Sequence, residues 1–204
     1  MEKIDFKKQY KNLFNPSSKE FSLADVPESL FLMVDGQGDP NTSQSYKDAI
    51  QALYPVAYKL KFASKENPGK DYTVAPLEGL WWADDMAAFT NNDRDEWKWT
   101  LMIMQPEWIS EKMFRDARNA VLKKDLPALD KIRFERFREG LSVQIMHIGS
   151  YADEAPVIER LHKEWLPQNG YIENGKHHEI YLSDPRKVAP EKLKTILRQP
   201  VKKI

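Results

Sequence analysis

One short segment near the C-terminus brings together three side chains that can do chemistry: His177, Glu179 and Tyr181. Successive side chains of a β-strand point to opposite faces, so these three share one face while Ile180 and Leu182 turn to the core. In an apolar cavity, a carboxylate between a phenol and an imidazole can act as an acid, a base or a partner for a cation. The alternative is a solvent-facing strand with ordinary polar residues.

A second carboxylate, Glu78, lies in a strand-like run that is rich in tryptophan. Glu78 shares a predicted strand face with Leu80 and Trp82, and neither face of this run is cleanly apolar. Gly79 leaves room for the close approach of a backbone or a ligand. Trp99 lies on the next predicted strand, and its indole ring suits either a flat ligand or plain core packing.

The four histidines raise the question of a metal site. His177 and Glu179 could hold an ion from one strand face, but zinc needs a third protein ligand, which would have to be His147 or His162. The chain has no HExxH motif, no Walker loop and no GxGxxG or GxSxG motif. We therefore predict no metal and no cofactor.

Composition removes several classes of protein. The net charge is zero, so no global field favours nucleic acid or an anionic membrane. The absence of cysteine excludes disulfides, thiolate catalysis and cysteine-ligated metals. The charged N-terminus lacks the apolar region of a signal peptide, and no apolar run approaches the about 20 residues of a membrane span. We expect a cytoplasmic protein with no nucleic-acid or membrane partner.

The elements that must position these side chains occur twice. Residues 1–28 are charged and turn-rich, which predicts an N-terminal arm that packs weakly. Strand, turn, helix, strand and strand then follow at about 30–104 and again at about 134–183. Pro190 is predicted to open a last short helix that carries apolar residues at helical spacing: Leu193, Ile196 and Leu197.

This order predicts an α+β fold of two tandem βαββ-type repeats with pseudo-twofold symmetry. The domain would span 29–204, with repeat one at about 29–125 and repeat two at about 133–204. We expect an antiparallel sheet with helices on one side and a central ligand cleft at the repeat junction.

Four motifs give the chain a family resemblance. They lie at 31–41, 76–82, 147–151 and 178–186, and the resemblance covers about 28–200. On these motifs the chain resembles the GyrI-like small-molecule-binding family, which includes the effector domains of multidrug-sensing regulators. The resemblance implies the same repeat architecture. It matches Glu179 to the family's pocket glutamate, which meets cationic aromatic drugs, and places Tyr151 and Tyr181 near the cleft.

Within that family, the chain resembles a tryptophan-rich, stand-alone subgroup with members similar to cyclopropanoid cyclopropyl hydrolases. This resemblance implies that Glu179 activates a water as general base and that Tyr151 or Tyr181 orients the water or stabilises the departing oxygen. The substrate would be a hydrophobic aromatic small molecule. The predicted ligand contacts are Trp81, Trp82, Trp99, Glu78, Met33, Tyr46 and His177.

Two other functions stay open. The chain could bind or sequester lipophilic aromatic cations without turnover, because cation–π contacts would add to the attraction of the carboxylate. It could instead act on DNA gyrase, as some family members do, although the neutral net charge gives that function no support. The oligomeric state is not predicted.

Overall fold

The computed structural model describes residues 3–85, 87–91 and 93–204, and this part of the chain contains eleven β-strands and seven α-helices. The strands are β1 (Lys3–Ile4), β2 (Ser22–Val26), β3 (Ser29–Gln37), β4 (Asp71–Tyr72), β5 (Leu77–Trp82), β6 (Lys98–Gln105), β7 (Arg133–Phe137), β8 (Gly140–Ile148), β9 (Tyr171–Glu173), β10 (His177–Tyr181) and β11 (Lys194–Lys203). The helices are α1 (Phe6–Gln9), α2 (Lys11–Phe14), α3 (Gln44–Glu66), α4 (Ala87–Thr90), α5 (Glu111–Ala120), α6 (Ala155–Arg160) and α7 (Leu166–Asn169). A π-helical turn, Leu161–Trp165, joins α6 to α7. None of the described helices is both long and apolar enough to cross a bilayer.

One large sheet dominates the fold. Its strand order is β2-β8-β11-β10-β5-β6-β3-β7, and each neighbouring pair on this path is antiparallel. Strand β9 pairs with the end of β11, and β1 forms a separate parallel pair with β4. The sheet therefore brings strands from both halves of the chain together at its middle.

The order of elements along the chain occurs twice, as the sequence predicts. The first set is β3, α3, β5 and β6, and the second is β8, α6–α7, β10 and β11. In the sheet the two sets meet at the central β10–β5 pair, to which each set contributes one strand. There Glu179 is opposite Gly79 and Ile180 is opposite Glu78. This arrangement confirms the predicted α+β class with two βαββ-type repeats around a pseudo-twofold axis.

The helix face of the sheet is the side that carries Leu77, Gly79 and Trp81 of β5. The helix α3 packs there against β3 and β6, with α5 beside it, and the α6–α7 segment covers the β8 end of the same face. The α3 stripe is fully buried, as at Leu53 and Leu60. Each such leucine contributes roughly 1.5–3 kcal/mol to stability by leaving water.

Helix α3 begins after a polar cap residue, Ser43. Ser43 has a non-helical backbone, and its Oγ accepts a hydrogen bond of 3.4 Å from the backbone N–H of Tyr46. This satisfies one of the backbone donors that a helix start leaves free. The cap fixes Tyr46 in the first turn, above the middle of the sheet.

The C-terminal segment is a strand, so the predicted last helix is wrong. Only one 3₁₀ turn, Pro190–Lys192, precedes β11. Strand β11 lies between β8 and β10 with both faces covered, and Thr195 through Val201 is continuously buried. A strand buried on both faces has an unbroken run of buried residues rather than an alternating pattern. The spacing of Leu193, Ile196 and Leu197 therefore resembled a helix stripe.

The N-terminal arm packs against the core, contrary to the expectation of weak packing. Phe6, Leu13 and Phe14 are buried, and β2 extends the large sheet by pairing with β8. Helix α2 lies on the opposite face of the sheet, where the backbone carbonyl of Leu13 accepts a 2.8 Å hydrogen bond from Arg198. The larger helices thus share one face, and this short helix covers the other.

Candidate functional site

Strand β10 places a carboxylate and a phenol side by side on the helix face. Tyr181 donates a hydrogen bond of 2.6 Å to Oε2 of Glu179, and Trp81 Nε1 donates one of 3.1 Å to the Tyr181 hydroxyl oxygen. Gly79 lies opposite Glu179 on β5. A Cβ atom at Gly79 would lie 2.9 Å from Trp81 Nε1 and 3.1 Å from the Tyr181 hydroxyl, so the chain of hydrogen bonds requires glycine there.

Aromatic rings surround this carboxylate. Tyr46 of α3 stacks on Trp81 at 6.0 Å between ring centroids and meets the edge of Trp99 at 5.2 Å. From the other side, Tyr151 packs edge-on against Tyr181 at 5.7 Å. Tyr151 is 42% exposed whereas Trp99 is fully buried, so Tyr151 lies at the outer side of this aromatic cluster, which we call the cleft, and Trp99 at its buried side.

The three phenols of the cleft keep their protons at neutral pH. Burial, followed by the charge of Glu179, raises the pKa of Tyr46 and of Tyr181 well above the usual range. Burial, then Glu154 and then Glu179, raises the pKa of Tyr151 to about 12. The Tyr151 hydroxyl can therefore donate a hydrogen bond to an oxygen on a ligand, whereas the Tyr181 hydroxyl already donates its proton to Glu179.

Glu154 is a second carboxyl group at the same place, and sequence analysis gave it no chemical role. It lies at the start of α6 with 4% of its surface exposed. Burial and the charge of Glu179 raise the pKa of Glu154 to about 9, against a lowering effect of the Thr195 side chain. No signal in the sequence links Glu154 to Glu179.

His177 completes the polar lining. Its Nε2 lies 3.6 Å from Oε1 of Glu179, and neither ring nitrogen has a hydrogen-bond partner among the described residues. In this part of the chain no three histidine, aspartate or glutamate side chains gather in a way that could hold a metal ion. The described side chains therefore offer hydrogen-bond donors, carboxyl oxygens and ring faces.

The opposite face of the sheet carries a buried ion network made of Glu78, Glu139, His178 and Arg198. His178 Nδ1 lies 3.0 Å from both carboxylate oxygens of Glu139, and its Nε2 lies 3.0 Å from Glu78 Oε2. Arg198 donates to Glu139 at 3.2 Å. With its imidazole protonated, His178 joins Arg198 as a second cation, so two cations balance two carboxylates.

The charge state of the network follows from its contacts. Burial lowers the pKa of His178, but Glu139 and Glu78 reverse this effect and raise it to about 9. Burial raises the pKa of Glu139, and the cations His178 and Arg198 more than offset this, so the pKa lies below its usual range. Glu78 of repeat one and His178 of repeat two thus form an ionic contact across the central strand pair.

The structure separates the predicted site residues into two groups. The cleft on the helix face brings together Glu179, Tyr181, Tyr151, Tyr46, Trp81, Trp99 and His177. The other three, Glu78, Trp82 and Met33, are on the opposite face, because side chains alternate along a strand and these positions are out of phase with Trp81, Gly79 and Val34. Glu78 therefore pairs with His178, and it does not share a site with Glu179.

A carboxylate held among aromatic rings, where the two repeats meet, has the chemistry of a site for a small organic molecule. The chain belongs to the GyrI-like small molecule binding domain family, whose model matches residues 19–202. It matches no curated protein at a significant level.

Solved structures from Listeria innocua share this fold over the whole chain. An uncharacterized conserved protein from that organism is 41% identical with a TM-score of 0.90, and the match covers 98% of this chain and 100% of the other. A hydrolase from Listeria innocua is 38% identical with a TM-score of 0.84 and the same coverage. The C-terminal domain of EcmrR is 16% identical with a TM-score of 0.57, and the match covers 91% of this chain and 98% of that domain. This similarity shows only a common fold.

Proposed function

We propose that this protein hydrolyses the strained cyclopropane ring of cyclopropanoid DNA-alkylating compounds by adding water, and so detoxifies them. The main support is the chain of hydrogen bonds that runs from Trp81 through Tyr181 to Glu179 inside an aromatic cleft. The likeness to a hydrolase from Listeria innocua, 38% identical over nearly the whole chain, supports catalysis by this fold.

The reaction needs one base and one source of a proton. Glu179 takes a proton from water, and the water oxygen bonds to the methylene carbon of the cyclopropane. The ring carbon–carbon bond breaks, and its electron pair turns the dienone into a phenolate, which then takes up a proton. Because Tyr181 donates a hydrogen bond to Oε2 of Glu179, Oε1 is the oxygen that receives the proton from water.

The aromatic side chains would hold the flat part of the compound. Tyr46 and Trp81 form a stacked pair on one wall, and Tyr151 stands at the mouth with its hydroxyl protonated. A phenol with a raised pKa donates a hydrogen bond to the dienone oxygen without losing its proton, which favours charge on that oxygen in the transition state.

A second function is the binding of lipophilic aromatic cations without turnover. The observation that favours it is the second carboxyl group, because a bound cation would stabilise the ionised form of Glu154 beside Glu179 among the aromatic rings. A flat cation would gain both the Coulomb attraction and cation–π contacts with Tyr46 and Trp81.

The experiment is a comparison of three purified proteins: the wild type, Glu179→Gln and the exposed control Glu164→Gln. Each is incubated with a spirocyclopropane DNA-alkylating compound, and mass analysis follows the gain of one water. We expect catalytic turnover in the wild type and in the control, and none in Glu179→Gln. Unchanged compound in all three, together with quenching of tryptophan fluorescence, would reject the hydrolase and leave the binding function.

A further inference from the structure

The cleft contains a second carboxyl group, Glu154, which has no role in the proposed reaction with Glu179 as the base. Glu154 is 96% removed from solvent, and its Oε1 has no hydrogen-bond partner among the described residues. A buried polar atom without a partner is rare in a native protein and calls for a specific explanation. Its place at the start of α6 puts it on the same side of the sheet as Glu179.

The groups that face Glu154 come from three elements. Glu179 and Tyr181 project from β10, Thr195 from β11 and Tyr151 from the turn before α6. These neighbours are a carboxyl group, two phenols and a hydroxyl. Next to Thr195 on β8, the Nε2 of His147 lies 3.0 Å from the carbonyl oxygen of Ser150.

We propose that Glu154 is the proton donor of the cleft: it gives its proton to the oxygen that ring opening leaves on the substrate, while Glu179 takes a proton from the attacking water. This inference rests on the proposed hydrolase function. Two carboxyl groups in one low-dielectric site do not both ionise readily, and the less solvated one holds the proton. Glu154, with 4% of its surface exposed, is that group.

The protons balance without any further reactant. Before the reaction Glu154 is protonated and Glu179 is ionised. Afterwards Glu179 carries the proton of the water, and Glu154 has given its own to the phenolate, so the product is the neutral phenol. Transfer of one proton from Glu179 to Glu154, directly or through solvent, restores the starting state. The pair thus divides acid and base roles between two environments, as in other paired-carboxyl sites.

The same reasoning defines the ligand class more narrowly. The expected substrate is neutral, because the two carboxyl groups of the cleft hold one proton between them. It accepts a hydrogen bond from Glu154 at one end and is attacked by the water that Glu179 activates at the other. For such a substrate, loss of the donor should lower turnover by about 10²–10⁴-fold, which is the usual range for general acid catalysis.

Two readouts test the proposal. Infrared difference spectroscopy of the wild type against Glu154→Gln detects a protonated carboxyl at neutral pH without any substrate. Turnover of the spirocyclopropane compound is then measured against pH. We expect a protonated-carboxyl band that Glu154→Gln lacks, and wild-type turnover that falls as pH rises through about 9. In Glu154→Gln turnover should be at least about 100-fold lower.

The outcomes separate this inference from the hydrolase function. Absence of the infrared band in the wild type, or wild-type turnover in Glu154→Gln, would overturn Glu154 as the donor while the hydrolase stands. No turnover by the wild type would overturn both. In that case the infrared band would still show whether Glu154 is protonated. The control Glu164→Gln should match the wild type in both readouts.

Discussion

Replacing His178 by glutamine should cost this protein much of its stability. Glutamine keeps a hydrogen-bond donor but removes the positive charge that lies between Glu78 and Glu139. Both carboxylates are at most 2% exposed in their side chains, so neither can be solvated in place. Removing one partner of a buried ion pair typically costs about 3–5 kcal/mol.

The pKa of His178 gives an independent magnitude. The fold raises that pKa from 6.5 to about 9, which corresponds to about 3 kcal/mol of stabilisation by the charged form. Because the folded pKa is raised, this contribution is complete below pH 6.5 and is lost as pH rises through about 9. The difference between the wild type and His178→Gln should therefore shrink towards alkaline pH.

The assay is urea unfolding of both proteins at several pH values, with His162→Gln as the matched control. His162 also pairs with a glutamate, Glu173 at 2.6 Å, but its side chain is 26% exposed, and such pairs contribute about 0–1 kcal/mol. We expect His178→Gln to lose about 3 kcal/mol or more at pH 6.5. A loss no larger than that of His162→Gln, or a loss that does not change with pH, would refute the reasoning.

Three further predictions concern the cleft. Gly36→Ala places a Cβ atom 2.1 Å from the Trp99 ring, and we expect it to lower the free energy of unfolding in urea by about 1–3 kcal/mol. The control is Gln37→Ala at an exposed position, which should change that free energy by less than about 0.5 kcal/mol. Glu154→Gln should stabilise the protein at pH 8 by up to about 5 kcal/mol, because a carboxyl with a raised pKa contributes stability below pH 4.5 that is lost as pH rises through about 9; an unfolding midpoint below that of the wild type would contradict this. Trp81→Phe removes the 3.1 Å hydrogen bond to Tyr181 and should weaken ligand binding by up to about tenfold in a fluorescence titration; an affinity equal to that of the wild type would contradict this.

Local patterns in the sequence predicted the parts of this molecule that depend on local rules. Alternation along 177–182 placed Glu179 and Tyr181 on one face and Ile180 on the other, and the structure has them so. The order of strand, helix, strand and strand was likewise predicted for both repeats, and the structure contains it. These features need only the period of a strand or a helix.

The parts that sequence analysis missed depend on which segments become neighbours. Strand β11 is buried on both faces only because β8 and β10 flank it. Glu78 pairs with His178 because β5 and β10 are adjacent in one particular register, and a shift by one residue would turn Glu78 to the cleft. Glu154 meets Glu179 through the packing of α6 on the sheet. None of these contacts has a short-range signature.

The most direct test of the central claim is product analysis in heavy-oxygen water, with the wild type and Glu179→Gln side by side. We predict that the wild type converts a spirocyclopropane compound repeatedly to a product that carries one heavy oxygen on the opened methylene carbon, and that Glu179→Gln folds but forms none. Equal conversion by the two proteins would contradict the assignment of Glu179 as the base. No conversion by the wild type would contradict the hydrolase itself.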